Sequence, residues 1–386
     1  MSIITPWFVQ LRRNSQNLCH KLCASRQFPN VHKKTNLDFV LATKFLAKIA
    51  IGLLREILKM KKNFICLSIL VFAISICSAK NAKLSQNALN IDIDYNDQVF
   101  PGDAVFIRLK FENAKSRKKT LGVSATAEIA GEKKSVSACD FYPLGAKRTS
   151  AEFLTGLPIS SWAESGDYQI KIKYNVSGEG ENEITLPLEI KEKEFESGVI
   201  NLTKEMSAIS SDTSLEKVEQ SKKLNAIINS VNSENVFNLK KFILPVTSKR
   251  RTTAFAERII YKYPSGKEST TVHAGIDFGL PRPPSSGPQP HMEIVAPADG
   301  KIVMAENRIA TGWTIIIEHL PGLYSMYYHM SEIRVKAGQM IKQGESLGLS
   351  GATGFANGEH LHWEMRLNSM IVNPDFFLND FAFTEN

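Results

Sequence analysis

The stretch "GEHLHWEMR", Gly358–Arg366, places two of the chain's eight histidines one residue apart. Its residues alternate, with Leu361, Trp363 and Met365 set against His360, His362, Glu364 and Arg366. A period of two marks a β-strand. On a strand, residues i and i+2 share a face, roughly 6.6–7 Å apart at their roots. Both imidazoles therefore lean into one small volume. Taken alone, such a pair is more often two ordinary polar residues than a site, so its meaning rests on partners.

The partners lie upstream. "TVHAGIDFG", Thr271–Gly279, offers His273 and Asp277 at an HxxxD spacing, with Gly275 and Gly279 expected to permit tight backbone turns. "LYSMYYHMSEI", Leu323–Ile333, offers His329 at the end of an aromatic-rich alternating run. A hydrolytic zinc site uses three N/O protein ligands and keeps one position open. His273, Asp277 and one histidine of the HxH pair would supply that set, and spacing leaves open which one. The other, with His329, would supply the base and the donor that hydrolysis needs.

From about Phe242 to Phe377 the chain resembles the lysostaphin/LytM-type zinc metallopeptidases, which cleave peptide cross-links in bacterial peptidoglycan. "HAGIDFG" resembles the family's HxGxD motif, and "IVAPADGKIVMAENR" (294–308) the strand pair after it. "GWTIIIEHLPGLYSMYYHMSEIRVKAGQMIKQGESLGLSGATG" (312–354) resembles the segment leading to the last motif. "HLHWEMR" (360–366) resembles the HxH strand, and a "VNPDFFL" ending (372–378) follows it. The resemblance implies an antiparallel-β catalytic domain of the duplicated hybrid motif type over residues 240–386, binding one Zn2+. It implies His273, Asp277 and His362 as metal ligands and His329 and His360 as the catalytic pair. Three features depart from the family pattern. Glu359 stands where proline usually precedes the HxH strand, and Ala256 where glycine is common. "PRPPSSGPQPHME" (281–293) is longer and richer in proline than the usual link. Glu359 is expected to alter charge beside the site. His291 and His319 match no motif and read as ordinary polar residues.

The formal charge of +8 invites a nucleic-acid reading, but its distribution argues against one. Residues 1–79 hold twelve of the 47 Lys/Arg and two of the 39 Asp/Glu, a net +10; the other 35 and 37 leave a net −2. That basic segment contains "MKKNFICLSILVFAISICSAKNA" from Met60. Lys61 and Lys62 are followed by a fourteen-residue apolar run, Phe64–Cys77, and then by Ser78 and Ala79. This is the layout of a secretory signal peptide over 60–79, too short for a comfortable membrane span. Residues 1–59 then read as an over-extended gene start, with Met60 the true one. The expected location is the periplasm or cell envelope. A lipoprotein anchored at Cys77 is the alternative, and membrane attachment is expected only in that case. Beyond residue 79 the only cysteine is Cys139, so no intramolecular disulfide is expected there.

Residues 90–190 read as an Ig-like β-sandwich. "VFIRLKF" (105–111), "YQIKIKY" (168–174) and "EITLPLEI" (183–190) each alternate apolar with polar residues, and "FPGD" and "ESGD" mark turns. Pro187 suits an edge strand. No catalytic set is visible there, and docking to an envelope protein is the role expected. Residues 205–235 read as a single helical linker. Thr213 and Glu216 have capping-box spacing, and Leu215, Val218, Ile227, Ile228 and Val231 fall on one stripe. It is expected to be a plain connector, with a shield over the active site as the alternative.

The chain as a whole is thus expected to be mainly β: a sandwich, a helical linker and a zinc metalloendopeptidase domain acting on peptidoglycan peptides. A catalytically silent relative that binds cell wall or activates another hydrolase is the second reading. All five site positions being present favours the enzyme.

Overall fold

The computed structural model describes residues 81–381 apart from 87–88, 114–119, 132–134, 177–179 and 282–290. The proposed signal peptide, the extension before Met60, Cys77 and most of the proline-rich link lie outside the described residues. The fold is mainly β, as the alternating runs predict.

The first half contains β1 (Asn81–Gln86), β2 (Leu89–Tyr95), β3 (Gln98–Val99), β4 (Ala104–Asn113), β5 (Val123–Ala130), β6 (Ser135–Asp140), β7 (Tyr142–Ala146), β8 (Ser150–Pro158), β9 (Gly166–Val176) and β10 (Gly180–Ile190). They form two five-stranded sheets, ordered β1-β2-β4-β8-β7 and β3-β10-β9-β5-β6. Val105, Ile107, Leu109 and Phe111 of the first sheet join Ile170, Ile172, Leu186 and Leu188 of the second in one buried apolar cluster. Pro187 pairs with Gln169 of β9, while β3 reaches β10 only at Glu189 and Ile190. The missing N–H of Pro187 therefore leaves no gap in a ladder.

Next come β11 (Ser197–Asn201), helix α1 (Lys204–Ser211) and helix α2 (Leu215–Ile228). The single linker helix expected from sequence is thus two. Thr203 caps α1 by accepting from Met206 N, and Ser214, not Thr213, caps α2 by accepting from Lys217 N. The expected stripe also fails. Leu215, Val218 and Val231 are exposed, and Ile228 packs with Met304, Ile316, Tyr324, Met326 and Tyr328. Only the C-terminal end of α2 has an apolar surface to cover.

The second half contains β12 (Arg251–Thr253), β13 (Arg258–Lys262), β14 (Glu268–Val272), β15 (Gly275–Gly279), β16 (Glu293–Val295), β17 (Gly300–Arg308), β18 (Gly312–Leu320), β19 (Leu323–Met330), β20 (Glu332–Ile333), β21 (Met340–Ile341), β22 (Ser346–Leu349), β23 (His360–Leu367), β24 (Met370–Val372) and helix α3 (Pro374–Asn379). Its main sheet runs β12-β15-β23-β19-β18-β17-β21, with β24 on β23. Trp363, Tyr327 and Phe278 are fully buried on one face, while α2 covers part of the other. β11 adds in parallel to β13, so the chain joins this half well before residue 240.

The two halves share packing. Phe106 of β4 points away from the apolar cluster shared by the two sheets and meets Phe376, Phe377 and Phe381 at centroid distances of 6.1, 6.1 and 4.9 Å. Asn373 Nδ2 donates to Asp103 Oδ1 at 3.0 Å. No helix among the described residues is long and apolar enough to cross a membrane.

Candidate active site

Antiparallel pairing of β15 with β23 sets Asp277 opposite His362 and Gly279 opposite His360. His273 enters from the end of β14, its N–H donating to Glu257 O and its carbonyl accepting from Ala256 N. Neither Gly275 nor Gly279 has a positive φ, so the expected tight turns are absent and clearance is the reason for both glycines. A Cβ on Gly275 would lie 2.3 Å from Trp363 O, and one on Gly279 would lie 2.9 Å from Arg250 Nη1. Ala256, at the position where glycine is common, does hold φ 61°. That left-handed conformation is the one glycine adopts most readily.

His273 Nε2 lies 3.1 Å from Asp277 Oδ1 and 3.1 Å from His362 Nδ1, and His362 Nδ1 lies 2.9 Å from Asp277 Oδ1. The outer nitrogens fix the tautomers. His273 Nδ1 faces Ala254 O at 2.9 Å, and a carbonyl can only accept. His362 Nε2 faces Glu364 Oε2 at 3.3 Å. With protons on those outer nitrogens, two lone pairs and a carboxylate oxygen converge, an arrangement that repels itself unless a cation sits among them. Tetrahedral ligands at ~2.0–2.1 Å from zinc stand about 3.3 Å apart, within a few tenths of an ångström of the separations here. The residues fit a small divalent cation.

The charges agree. Burial raises the Asp277 carboxyl, but the His273 and His362 imidazoles set against it hold it well below the usual range. Burial lowers the His362 imidazole, and bonds to Asp277 and Glu364 more than reverse this, raising it to about 9. A proton or a metal can meet that demand for positive charge, but only the metal also satisfies the facing lone pair of His273.

His329 and His360 flank this group, their ring centroids 4.9 Å apart. His360 is not one of the three converging donors; its Nε2 lies 3.8 Å from Asp277 Oδ1. Each ring is anchored through Nδ1, His329 on Thr353 O and His360 on Gly358 O, both at 2.8 Å. Each therefore turns an Nε2 lone pair inward. Burial, with His360 and His362 nearby, lowers His329 to about 3, so it is neutral. His329 also holds φ 63°, a conformation that costs a non-glycine residue roughly 1–3 kcal/mol and is retained here by contacts to Thr311 and Thr353.

Two residues of the site carried no role in the sequence reading. Glu364 grips His362 and is itself held by Arg366 Nε. Its place on the polar side of the alternating strand was the signal that could have found it. Tyr328 stacks on His362 at 5.1 Å with an interplanar angle of 2°.

The site opens into a groove with two limbs, each about 420 Å³. Ile200 of β11, Met206 and Ile209 of α1 and Lys217 of α2 wall the first, with Tyr261 and Phe355. The linker segment is thus part of the site's border, not a plain connector. Arg250, Thr252, Thr253, Glu257 and Glu359 border the second limb. Glu359 turns from the converging donors to His291 Nδ1 at 2.7 Å and Ser350 Oγ at 2.8 Å. His291 pairs there at the surface. His319 is fully buried and structural, bonded to Asp299 O and Ser325 Oγ, both at 2.7 Å.

Residues 271–374 match Peptidase family M23. An uncharacterized metalloprotease of Haemophilus influenzae is 38% identical over 103 residues, 26% of this chain and 20% of the relative. The peptidoglycan DD-endopeptidase ShyA of Vibrio cholerae is 35% identical over 101 residues, 26% of this chain and 22% of the relative. The chain thus spans about a fifth of the length of these relatives. A crystal structure of a peptidase M23 protein from Pseudomonas aeruginosa aligns with 70% of this chain and 97% of its own, at 21% identity and a TM-score of 0.41.

Proposed function

Because residues 271–374 form a Peptidase family M23 domain, we propose that this chain is an exported zinc metalloendopeptidase that hydrolyses peptide cross-links of bacterial peptidoglycan. The observation that carries the reading is the convergence of His273 Nε2, His362 Nδ1 and Asp277 Oδ1 beside two further inward-facing imidazoles. The Vibrio cholerae relative, a peptidoglycan DD-endopeptidase by name, supports the substrate class. Four imidazoles around one carboxylate also favour catalysis over a silent, wall-binding role.

In this reading His273, Asp277 and His362 hold one Zn2+, and Glu364 orients His362. When bound, the ion supplies Lewis acidity toward a carbonyl oxygen and makes a water more acidic. His329 and His360 handle protons. Each begins with a free Nε2 and an Nδ1–H fixed on a carbonyl, so one takes a proton from the attacking water. The imidazolium so formed can return that proton to the leaving amine, and the second imidazole can donate to the oxyanion once its own Nε2 carries a proton.

The sequence of residues 60–79 supports export to the periplasm or envelope, with a lipid anchor at Cys77 as the alternative. The two-sheet first half is proposed to be Ig-like and to dock an envelope protein, and the catalytic half to follow the duplicated hybrid motif.

Digestion of cross-linked muropeptide dimers by the full chain, read by mass spectrometry, tests the function. Dimers should become monomers, the reaction should stop after chelation, and zinc should restore it. Intact dimers with a zinc-loaded protein would favour the silent relative.

A further inference from the structure

The second limb of the groove contains a cation that the site chemistry leaves unused. Arg250 N–H and carbonyl lie beside the start of β12, and its carbonyl accepts from Gly279 N at 2.9 Å. Gly279 is in turn paired with His360. Arg250, Gly279 and His360 therefore sit in one row across three neighbouring strands. At ~4.8 Å per strand, the backbone of Arg250 is about 10 Å from that of His360, a gap that the long arginine side chain narrows, and both residues line the one limb. The missing Cβ of Gly279 leaves room for the guanidinium, which would otherwise meet it at 2.9 Å.

The bonding of Arg250 is nearly empty. Nη1 reaches Leu280 O at 3.4 Å, and among the described residues Arg250 makes no ion pair. Its neighbour Arg251 is bidentate to Asp375, and Arg366 is held by Glu364. Among the described residues, three carboxylates line the limb; Asp277 belongs to the converging donor set, and the other two are engaged elsewhere. Glu257 Oε2 accepts from Ala254 N at 3.2 Å, and Glu359 is held by His291 and Ser350. A guanidinium has five donors in a fork that matches a carboxylate.

We infer that Arg250 anchors a free carboxylate of the substrate peptide beside the scissile amide, and so selects cross-links whose diamino acid keeps unmodified the carboxyl next to its cross-linking amine. This rests on the peptidoglycan reading above and adds a substrate preference to it.

The test uses two muropeptide dimers with a D-alanyl to diamino-acid cross-link, differing only in whether the carboxyl next to the cross-linking amine is free or amidated. With the zinc-loaded full chain, kcat/KM should favour the free acid by about tenfold, the scale of one charge-assisted hydrogen bond at a partly exposed site. Arg250→Met should bring that ratio close to one, and Arg250→Lys should restore part of it. A wild-type ratio of one, or a ratio that survives Arg250→Met, overturns the inference. Titration calorimetry with His329→Ala protein supplies an arm independent of turnover: the acid should bind about tenfold tighter than the amide. Tighter binding of the amide would mean that Glu257 and Glu359 repel a carboxylate in this limb and would also overturn it. A chain that binds the acid selectively but cleaves neither dimer would sink the endopeptidase reading and leave the subsite standing.

Discussion

Glu364 is buried at the edge of the groove's first limb, and its contact with Nε2 leaves Nδ1 of His362 to face the converging donors. Glu364→Gln keeps the shape and removes the charge that favours a basic Nδ1. Metal affinity should fall by roughly 10–100-fold, read by competition with a chromogenic chelator, while far-UV circular dichroism stays unchanged. An unaltered affinity would remove Glu364 from the site. His319 gives a separate residue-scale prediction. Burial lowers its imidazole to about 4, below the ordinary value near 6.5. The unfolded chain therefore takes up the proton first as pH falls. The contribution of His319 to stability is complete above about pH 6.5 and is lost as pH drops toward 4, by about 2 kcal/mol between pH 7 and pH 5. Urea titrations at those two pH values should show the loss, and His319→Gln should flatten it. An equal pH dependence in the variant would assign the loss to other groups.

At the scale of elements, the pairing of β15 with β23 is what brings Asp277 to His362, and Gly275 permits its closeness. Gly275→Ala sets a methyl against the Trp363 carbonyl and should cost about 1–3 kcal/mol, measured by chemical denaturation, with weaker metal binding alongside. Unchanged stability would mean that the strands part easily. Much of this was legible. The HxH alternation specified a strand, and the HxxxD segment supplied its partners. Other features were not, for physical reasons. Gly279 looks identical in sequence whether it turns the chain or clears space for Arg250. The linker stripe looked amphipathic, but the sheet offers α2 an apolar patch only near Ile228. Phe106 sits among the polar-face residues of "VFIRLKF", and that single misplaced aromatic was the trace of a contact with the other half. Which histidine of the pair converges with His273 and Asp277 was beyond spacing, because it depends on rings anchored by Gly358 and Glu364.

Across the whole molecule, the halves share enough buried surface to stabilise each other. Burying Phe106 against α3 is worth roughly 2–3 kcal/mol, and β11 gives β13 its outer partner. A fragment of residues 240–386 lacks both and also lacks the Ile200, Met206 and Ile209 wall of the groove. It should unfold at a lower temperature than residues 81–386 in differential scanning fluorimetry. Coincident transitions would show that the two-sheet first half adds nothing to the stability of the second.

The division of labour between the two histidines of "HLH" is most directly tested by bound zinc, determined by elemental analysis alongside muropeptide cleavage in four alanine variants. Asp277→Ala and His362→Ala each remove a converging donor and should lose zinc and activity together. His329→Ala and His360→Ala should keep close to one zinc per chain and lose activity by roughly 10²–10⁴-fold. Zinc retained by His362→Ala and lost from His360→Ala would contradict the assignment, as would full activity in His360→Ala.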